Sequence, residues 1–225
     1  MSKFYAVKAG VNPGVYNSWA ECEKNVKGFS GACYKSFKNK AEAEEFLGLK
    51  NEKTVEIPLH NKNVIEVYTD GSHKKHVENG HLGVGIFCSY LDKEYSFSLP
   101  ITKEILQMEG IDPEAHISNP SCELFAYNQF LRQIYLSKKD LSAYTFVVKM
   151  DYIGVERWMT GVWKINETYI QKIKDDCDYY LSKIKANIKL EWIPAHSGIY
   201  GNEKADELAK SPLQVNNFPD LFKIL

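Results

Sequence analysis

The stretch AYTFVVKMD, Ala143 to Asp151, is almost continuously apolar and ends in an acid. A strand of that kind is buried on both faces, so helices must cover it above and below. The neighbouring sequence supplies them. SCELFAYNQFLRQIYLSKK places Cys122, Phe125, Ala126, Phe130 and Ile134 at helical spacing, and YIGVERWMTG and ETYIQKIKDDCDYYLSKIK also read as helices. IKLEWIPA follows as a strand and GNEKADELAK as a capped helix. Upstream, VIEVYTD, HLGVGIFCSYL and KEYSFSLPI read as three strands whose short connections imply an antiparallel meander. Three strands followed by alternating helix and strand predict an α/β domain, a mixed sheet with helices packed on it. TKEILQMEGIDPEAHISNP, spanning 102–120, is a poorly patterned insertion.

The first fifty residues form a separate pattern. FYAVKAG and GACYKSF alternate as strands do, with VNPG a turn after the first. SWAECEKNVKGF opens with Ser18 and has Glu21 three residues on, a capping box, and KAEAEEFLGLK reads as a helix stopped by Gly48. The expected organisation is a small α+β module over 1–48, a polar linker over 49–62, the larger domain over 63–212 and a tail over 213–225. The tail, LQVNNFPDLFKIL, is expected to pack back on the domain or fray.

Charge divides along the same line. Residues 1–50 hold eight Lys against five Glu, a net of +3, and the remaining residues carry net −4. A polyanion partner suits the first module on that count. No apolar run approaches the roughly eighteen residues of a membrane span, and MSKFYAVKAG lacks the apolar core of a signal peptide. Five scattered cysteines without a C-x-x-C pair suggest reduced thiols, and hence a cytoplasmic location, in place of a disulfide framework or zinc site.

Four acids stand where elements meet solvent. Asp70 lies between the first strand of the larger domain and the Gly71-Ser72 pair that ends it. Glu123 falls in the first turn of a helix, Asp151 ends the buried strand, and Asp206 lies early in a helix capped by Asn202. Each has an ordinary explanation. Asp before Gly is turn chemistry, acids near helix N-termini suit the dipole, and Asp151 can simply end a strand. Gathered on one sheet edge, however, they would repel one another unless cations neutralised them. Oxygen-only ligands suit Mg²⁺ or Mn²⁺, and two such ions about 3.5–4 Å apart serve phosphodiester hydrolysis. Spacing alone leaves both readings open. His73, His76 and His81 are read as decorating an exposed hairpin, since no Cys or acid spacing supports a metal cluster there.

YTDGS, SNPSCEL, VVKMDY and AHSGIYGNEKADELAK together resemble the type 1 branch of the ribonuclease H family, in matching order over roughly residues 62–212. The last block sets His196, Gly198, Asn202 and Asp206 at defined offsets. The resemblance implies a ribonuclease H-like mixed five-stranded sheet with flanking helices, and hydrolysis of the RNA strand of RNA–DNA hybrids with two Mg²⁺ ions, Mn²⁺ being a substitute. It implies that Asp70 bridges both metals and Asp206 holds the water-activating one. Glu123 and Asp151 would hold the metal beside the leaving group, and His196 would serve proton transfer and product departure. By the same resemblance Gly71, Ser72, Asn119 and Glu123 read the 2′-hydroxyl, Ser118 and Asn166 form a phosphate pocket, and Asn202 joins the substrate contacts. His116 replaces a basic side chain expected near Ser118. DYIGVERWMTGVWKINETY leaves no room for the family's basic protrusion, so the chain resembles the protrusion-less subgroup, where Tyr152, Gly154, Trp158, Gly161, Trp163 and Lys164 are also expected. Trp158 and Trp163 are candidates for lining the substrate groove, with core packing the alternative for Trp158.

The first module resembles the hybrid-binding, viroplasmin-like domain. That implies Trp19 and Tyr34 against the DNA sugars and Lys35 on a phosphate, while Ser36, where the family often has a second Lys, weakens the charge contacts. The ordinary alternative for Trp19 is a core aromatic. The expected protein is a monomeric endoribonuclease whose partner is RNA–DNA hybrid, with double-stranded RNA a second candidate partner and no membrane involved. The alternative is a catalytically silent hybrid- or double-stranded-RNA-binding protein.

Overall fold

The structure, a computed structural model, describes residues 3–29, 32–47, 63–74, 81–195, 197–212 and 215–225, and it divides into two units, Met1–Asn61 and Lys62–Leu225. The linker expected over 49–62, the helix stop at Gly48, and His76 and His196 lie outside the described residues.

The first unit runs β1 (Phe4–Ala9), β2 (Gly14–Tyr16), α1 (Trp19–Val26), β3 (Cys33–Phe37) and α2 (Lys40–Phe46), its antiparallel sheet ordered β2-β1-β3. The capping box forms at α1. Glu21 N–H donates to Ser18 Oγ at 3.3 Å, and Ser18 N–H donates to Glu21 Oε2 at 3.2 Å. Neighbouring residues of β1 point to opposite faces. Ala6 therefore packs with Ala43 of α2 and with Leu47 just beyond it, and Val7 with Cys22 and Val26 from α1. These two small patches are all the apolar interior this unit has among the described residues.

The second unit contains β4 (Val64–Lys74), β5 (His81–Tyr90), β6 (Lys93–Pro100), α3 (Lys103–Met108), α4 (Asn119–Ser137), β7 (Asp140–Met150), α5 (Gly154–Met159), α6 (Thr168–Lys183), β8 (Lys185–Trp192), α7 (Tyr200–Lys210) and α8 (Phe218–Ile224). The five-stranded sheet is ordered β6-β5-β4-β7-β8. β4, β5 and β6 form the expected antiparallel meander, and β7 lies parallel between β4 and β8. The central apolar strand is thus covered as its sequence demanded. α4 packs its buried Phe125, Leu124 and Phe130 into the main core with Ile65, Val67 and Ile86.

α7 lies across β5 at backbone contact distance. A Cβ on Gly83 or Gly85 would fall 2.3 and 2.1 Å from the carbonyl oxygens of Ala209 and Ala205. Strand glycines of this kind mark a close backbone approach. Trp158 is buried, its ring 5.7 Å from Tyr152 and 6.5 Å from Trp163, so it packs in the core and does not line a groove.

Two segments that the sequence left loosely defined are anchored. Of the two outcomes expected for the C-terminal stretch, the described residues 215–225 show packing back on the domain. Ser98 N–H donates to Val215 O at 2.7 Å and Ser96 N–H to Asn217 Oδ1 at 2.6 Å, so the segment covers the β6 edge before α8 buries Phe218, Leu221 and Phe222. The 102–120 insertion is anchored too, with Thr102 capping α3 and Leu106, Ile111 and Ile117 buried. Among the described residues no helix is long and apolar enough to cross a membrane.

Candidate active site

The Asp70-Gly71 pair is not a turn. β4 continues through Gly71 and Ser72 and pairs with β5 as far as Lys74↔His81, whereas its pairing with β7 stops at Tyr68↔Lys149. Asp70 therefore sits in the strand just beyond the point where its neighbour ends. A strand edge left without a partner exposes backbone N–H groups, and here α4 meets them. Gly71 N–H donates to Glu123 Oε2 at 3.1 Å, and His73 N–H donates to Asn119 Oδ1 at 2.9 Å. This requires glycine at 71. A Cβ there would lie 2.1 Å from the backbone carbon of Cys122 and 2.3 Å from the Glu123 nitrogen.

Gly71→Ala is accordingly expected to force β4 and α4 apart, because the clash is with backbone that cannot rotate away. Overpacking of this kind costs about 1–3 kcal/mol, about 2–4 °C of Tm for each kcal/mol in a chain this size. Thermal unfolding and hybrid cleavage measured together check it. An unchanged Tm would mean that the close approach is not needed.

The other acids are held differently from their sequence reading. Glu123 lies in the second turn of α4, past the reach of the helix dipole at its start. Asp151 follows β7 directly. Its backbone oxygen accepts Trp192 Nε1–H at 3.0 Å, and its Oδ2 accepts from Asn202 Nδ2 at 3.3 Å. Asn202 is no helix cap. It lies inside α7, buried, with Oδ1 lacking a hydrogen-bond partner among the described residues. Asp206 lies in the second half of α7, where its Oδ2 pairs with Lys210 Nζ at 2.6 Å.

The structure brings three of the four acids together. Asp70, Glu123 and Asp151 each offer an oxygen, all within 4.8 Å of one another. Burial, reinforced by the charges of Asp151 and Asp206, raises the Asp70 carboxyl well above the ordinary carboxylate range, with Lys210 pulling the other way. Burial and then Asp70 and Asp151 raise the Glu123 carboxyl as well, against the hydrogen bond from Gly71. An oxygen-only set that is buried and self-repelling fits a hard divalent cation, which would replace the protons.

These shifts have a stability consequence. Carboxyls with raised folded-state pKa values hold protons that the unfolded chain has already released. The stability they contribute is full below about pH 4, the unfolded carboxylate range, and is lost as pH rises through the folded values. In chelator the Tm is expected to fall from about pH 5 to pH 8 through this site, and Mg²⁺ or Ca²⁺ to raise it more at the higher pH. Calorimetry across that range checks this, and a metal-induced shift of equal size at both ends would contradict it.

The remaining candidates are dispersed. Ser72 is buried beside Asp70. Ser118 N–H donates to Ser121 Oγ at 3.0 Å and the two hydroxyls lie 3.1 Å apart, which commits Ser118 to starting α4. Asn166 is exposed in the loop before α6. In the first unit Trp19 and Tyr34 are 42% and 45% exposed, which rules out the core alternative for Trp19. Their ring centroids are 5.7 Å apart, Tyr5 stands 5.7 Å from Trp19, and Lys35 is exposed nearby on β3. Trp192, which fixes the Asp151 backbone, went unnoticed in the sequence because nothing in IKLEWIPA marks it. The alternate glycines of HLGVGIF were a legible sign that α7 would lie on β5.

Two family models match this chain, one described as Ribonuclease H1 N-terminal domain over residues 3–47 and one as RNase H over residues 62–214. A ribonuclease H of Francisella philomiragia is 30% identical over 158 residues, covering 68% of this chain and 92% of its own. A ribonuclease H of Schizosaccharomyces pombe is 24% identical over 266 aligned positions, covering 92% of this chain and 96% of its own. The match to a ribonuclease H of Saccharomyces cerevisiae is 48% identical over 48 residues, and it spans 21% of this chain but only 14% of that one.

Proposed function

The chain belongs to the ribonuclease H family, and on that premise we propose that it is an endoribonuclease that hydrolyses the RNA strand of RNA–DNA hybrids. The observation that carries this reading is the convergence of Asp70, Glu123 and Asp151 within 4.8 Å at the end of β7. Mg²⁺ is the proposed ion, two per site with Mn²⁺ as a substitute, held by these three and Asp206. Bound there, such ions supply the charge that activates water and stabilises the leaving oxygen of a phosphodiester.

The chain's own groups hold that arrangement in place. Gly71 N–H orients Glu123, while Asn202 and Trp192 fix the side chain and backbone of Asp151. Asp206 joins by exchanging Lys210 for the site. Gly71, Ser72 and Asn119 line the same strand edge and are assigned to reading the 2′-hydroxyl. Asn119 uses its oxygen on His73, so its amide nitrogen is the group left to donate. Ser118 and Asn166 are assigned to the DNA strand's phosphate, and His196 to proton transfer.

In the first unit, Trp19 and Tyr34 are assigned to the DNA sugars and Lys35 to a phosphate, a reading supported by the exposed aromatic pair and the unit's net positive charge. Action as a monomer is part of the same proposal. Five free thiols support a reducing, cytoplasmic setting.

A hybrid with a labelled RNA strand tests the proposal. Internal cuts in the RNA are expected with Mg²⁺, none with chelator, and none in duplex DNA. A hybrid that is bound but uncut in both Mg²⁺ and Mn²⁺ would establish the silent binding protein instead. Competition by double-stranded RNA decides whether it is a second ligand.

A further inference from the structure

The two segments that the sequence left without a role, 102–120 and the C-terminal stretch, together build a groove of about 520 Å³. Its floor and walls are Phe97 and Leu99 of β6, Ile105 of α3 and Phe222 of α8, with Gln129 and Gln133 of α4 at the base. α8, which forms one wall, lies beyond the family-matched region, which ends at 214. The volume is that of a ligand pocket. It lies well away from the acids, since Gln133 is ten residues, about 15 Å, along α4 from Glu123.

The walls are fixed to one another. Arg132 Nη1 pairs with Glu109 Oε1 at 3.3 Å, joining α4 to the end of α3, and Asn216 Nδ2 donates to Gln133 Oε1 at 3.3 Å, joining α4 to the terminal segment. Three features describe what would fill it. Met108 and Leu136 stand on the rim 72% and 54% exposed, an apolar invitation that isolated surface residues do not make. Arg132, Lys139 and Lys223 lie around the opening; Glu109 pairs with Arg132 and Asp220 with Lys223, and among the described residues no acid pairs with Lys139. Gln129 is fully buried at the base, its Nε2 spent on Asn128 Oδ1 at 3.2 Å and its Oε1 without a hydrogen-bond partner among the described residues. A buried acceptor left unmet in a native protein calls for a donor.

We propose that this groove docks a short acidic segment of a partner protein, anchored by an aromatic side chain that brings an N–H or O–H donor to Gln129. Tryptophan and tyrosine meet that description, being large, apolar and equipped with a donor. Acidic flanks answer Lys139, the rim cation that no acid pairs with among the described residues. A nucleic-acid occupant is disfavoured because the apolar floor offers nothing to a phosphate backbone.

Selection of phage-displayed random peptides of about 12 residues on the full-length protein tests this. Peptides that combine Trp or Tyr with two or more acids are expected to be enriched. A synthetic peptide of the enriched type should bind, and Met108→Asp with Leu136→Asp, or Lys139→Glu with Lys223→Glu, should weaken its Kd at least about ten-fold. Hybrid cleavage should be unchanged in both variants. The proposal is overturned if no such peptides emerge, if the variants move Kd less than about two-fold, or if RNA–DNA hybrid displaces the peptide, which would make the face a nucleic-acid surface.

Discussion

Asp70→Asn is expected to leave the protein folded and hybrid-bound but to slow RNA cleavage on the order of 10³-fold or more, the scale of losing a centrally placed electrostatic group. The Asp70 carboxyl lies with those of Glu123 and Asp151 within 4.8 Å, and Asp206 also acts on it. The amide keeps the shape and removes the charge. The same substitution should raise the Tm of the metal-free protein above the carboxylate range, because one member of a repelling buried cluster no longer ionises. Parent and variant should converge below about pH 4, where the parent's carboxyl is protonated in both states. The Tm gain on adding Mg²⁺ should shrink in the variant. This pairing of lost activity with gained metal-free stability separates a metal-site role from a folding role. Cleavage within about ten-fold of the parent would end the assignment, whatever the Tm does.

Removing residues 1–50 is expected to raise KM on long hybrids on the order of ten-fold while changing kcat little. Residues 51–225 carry net −4 and lack a basic protrusion, so their own electrostatic hold on a duplex is weak. The first fifty residues carry net +3 and present Trp19 and Tyr34 on their surface. Residues 49–62 bound the separation of the two units at about 50 Å even if fully extended. Binding of one unit therefore keeps the other at an effective concentration of about a millimolar. The effect should fade on hybrids too short to reach both units, and Trp19→Ala should reproduce part of it. Because the module's phosphate contacts rest on few cations, raising salt should erase much of the difference. Equal KM values for the two proteins on a long hybrid at low salt would show that the first unit does not tether.

The sequence by itself determined the architecture of the second unit and the identity of its acids. AYTFVVKMD could only be a doubly covered strand, the helical spacing of 122–134 supplied one cover, and the motif order named Asp70, Glu123, Asp151 and Asp206 before any geometry was known. Periodicity reports which residues of an element face the interior, and it reports this locally. What depended on where a different element stops was not legible. Gly71 looked like a turn residue, and only the end of the β4–β7 pairing at Tyr68↔Lys149 makes it the point where α4 must touch β4. Glu123 looked like a helix-start residue, yet its oxygen, with that of Asn119, takes the place of the strand that is no longer there. Asn202 read as a cap and instead holds Asp151, because α7 begins two residues before it. Asp206 belongs to the same set by motif, but the closest charge in the folded chain, Lys210 one helical turn away, claims it. The C-terminal stretch, expected to pack back on the domain or fray, packs back and closes the β6 edge; where it would dock was not legible, since only the assembled sheet has an edge to close.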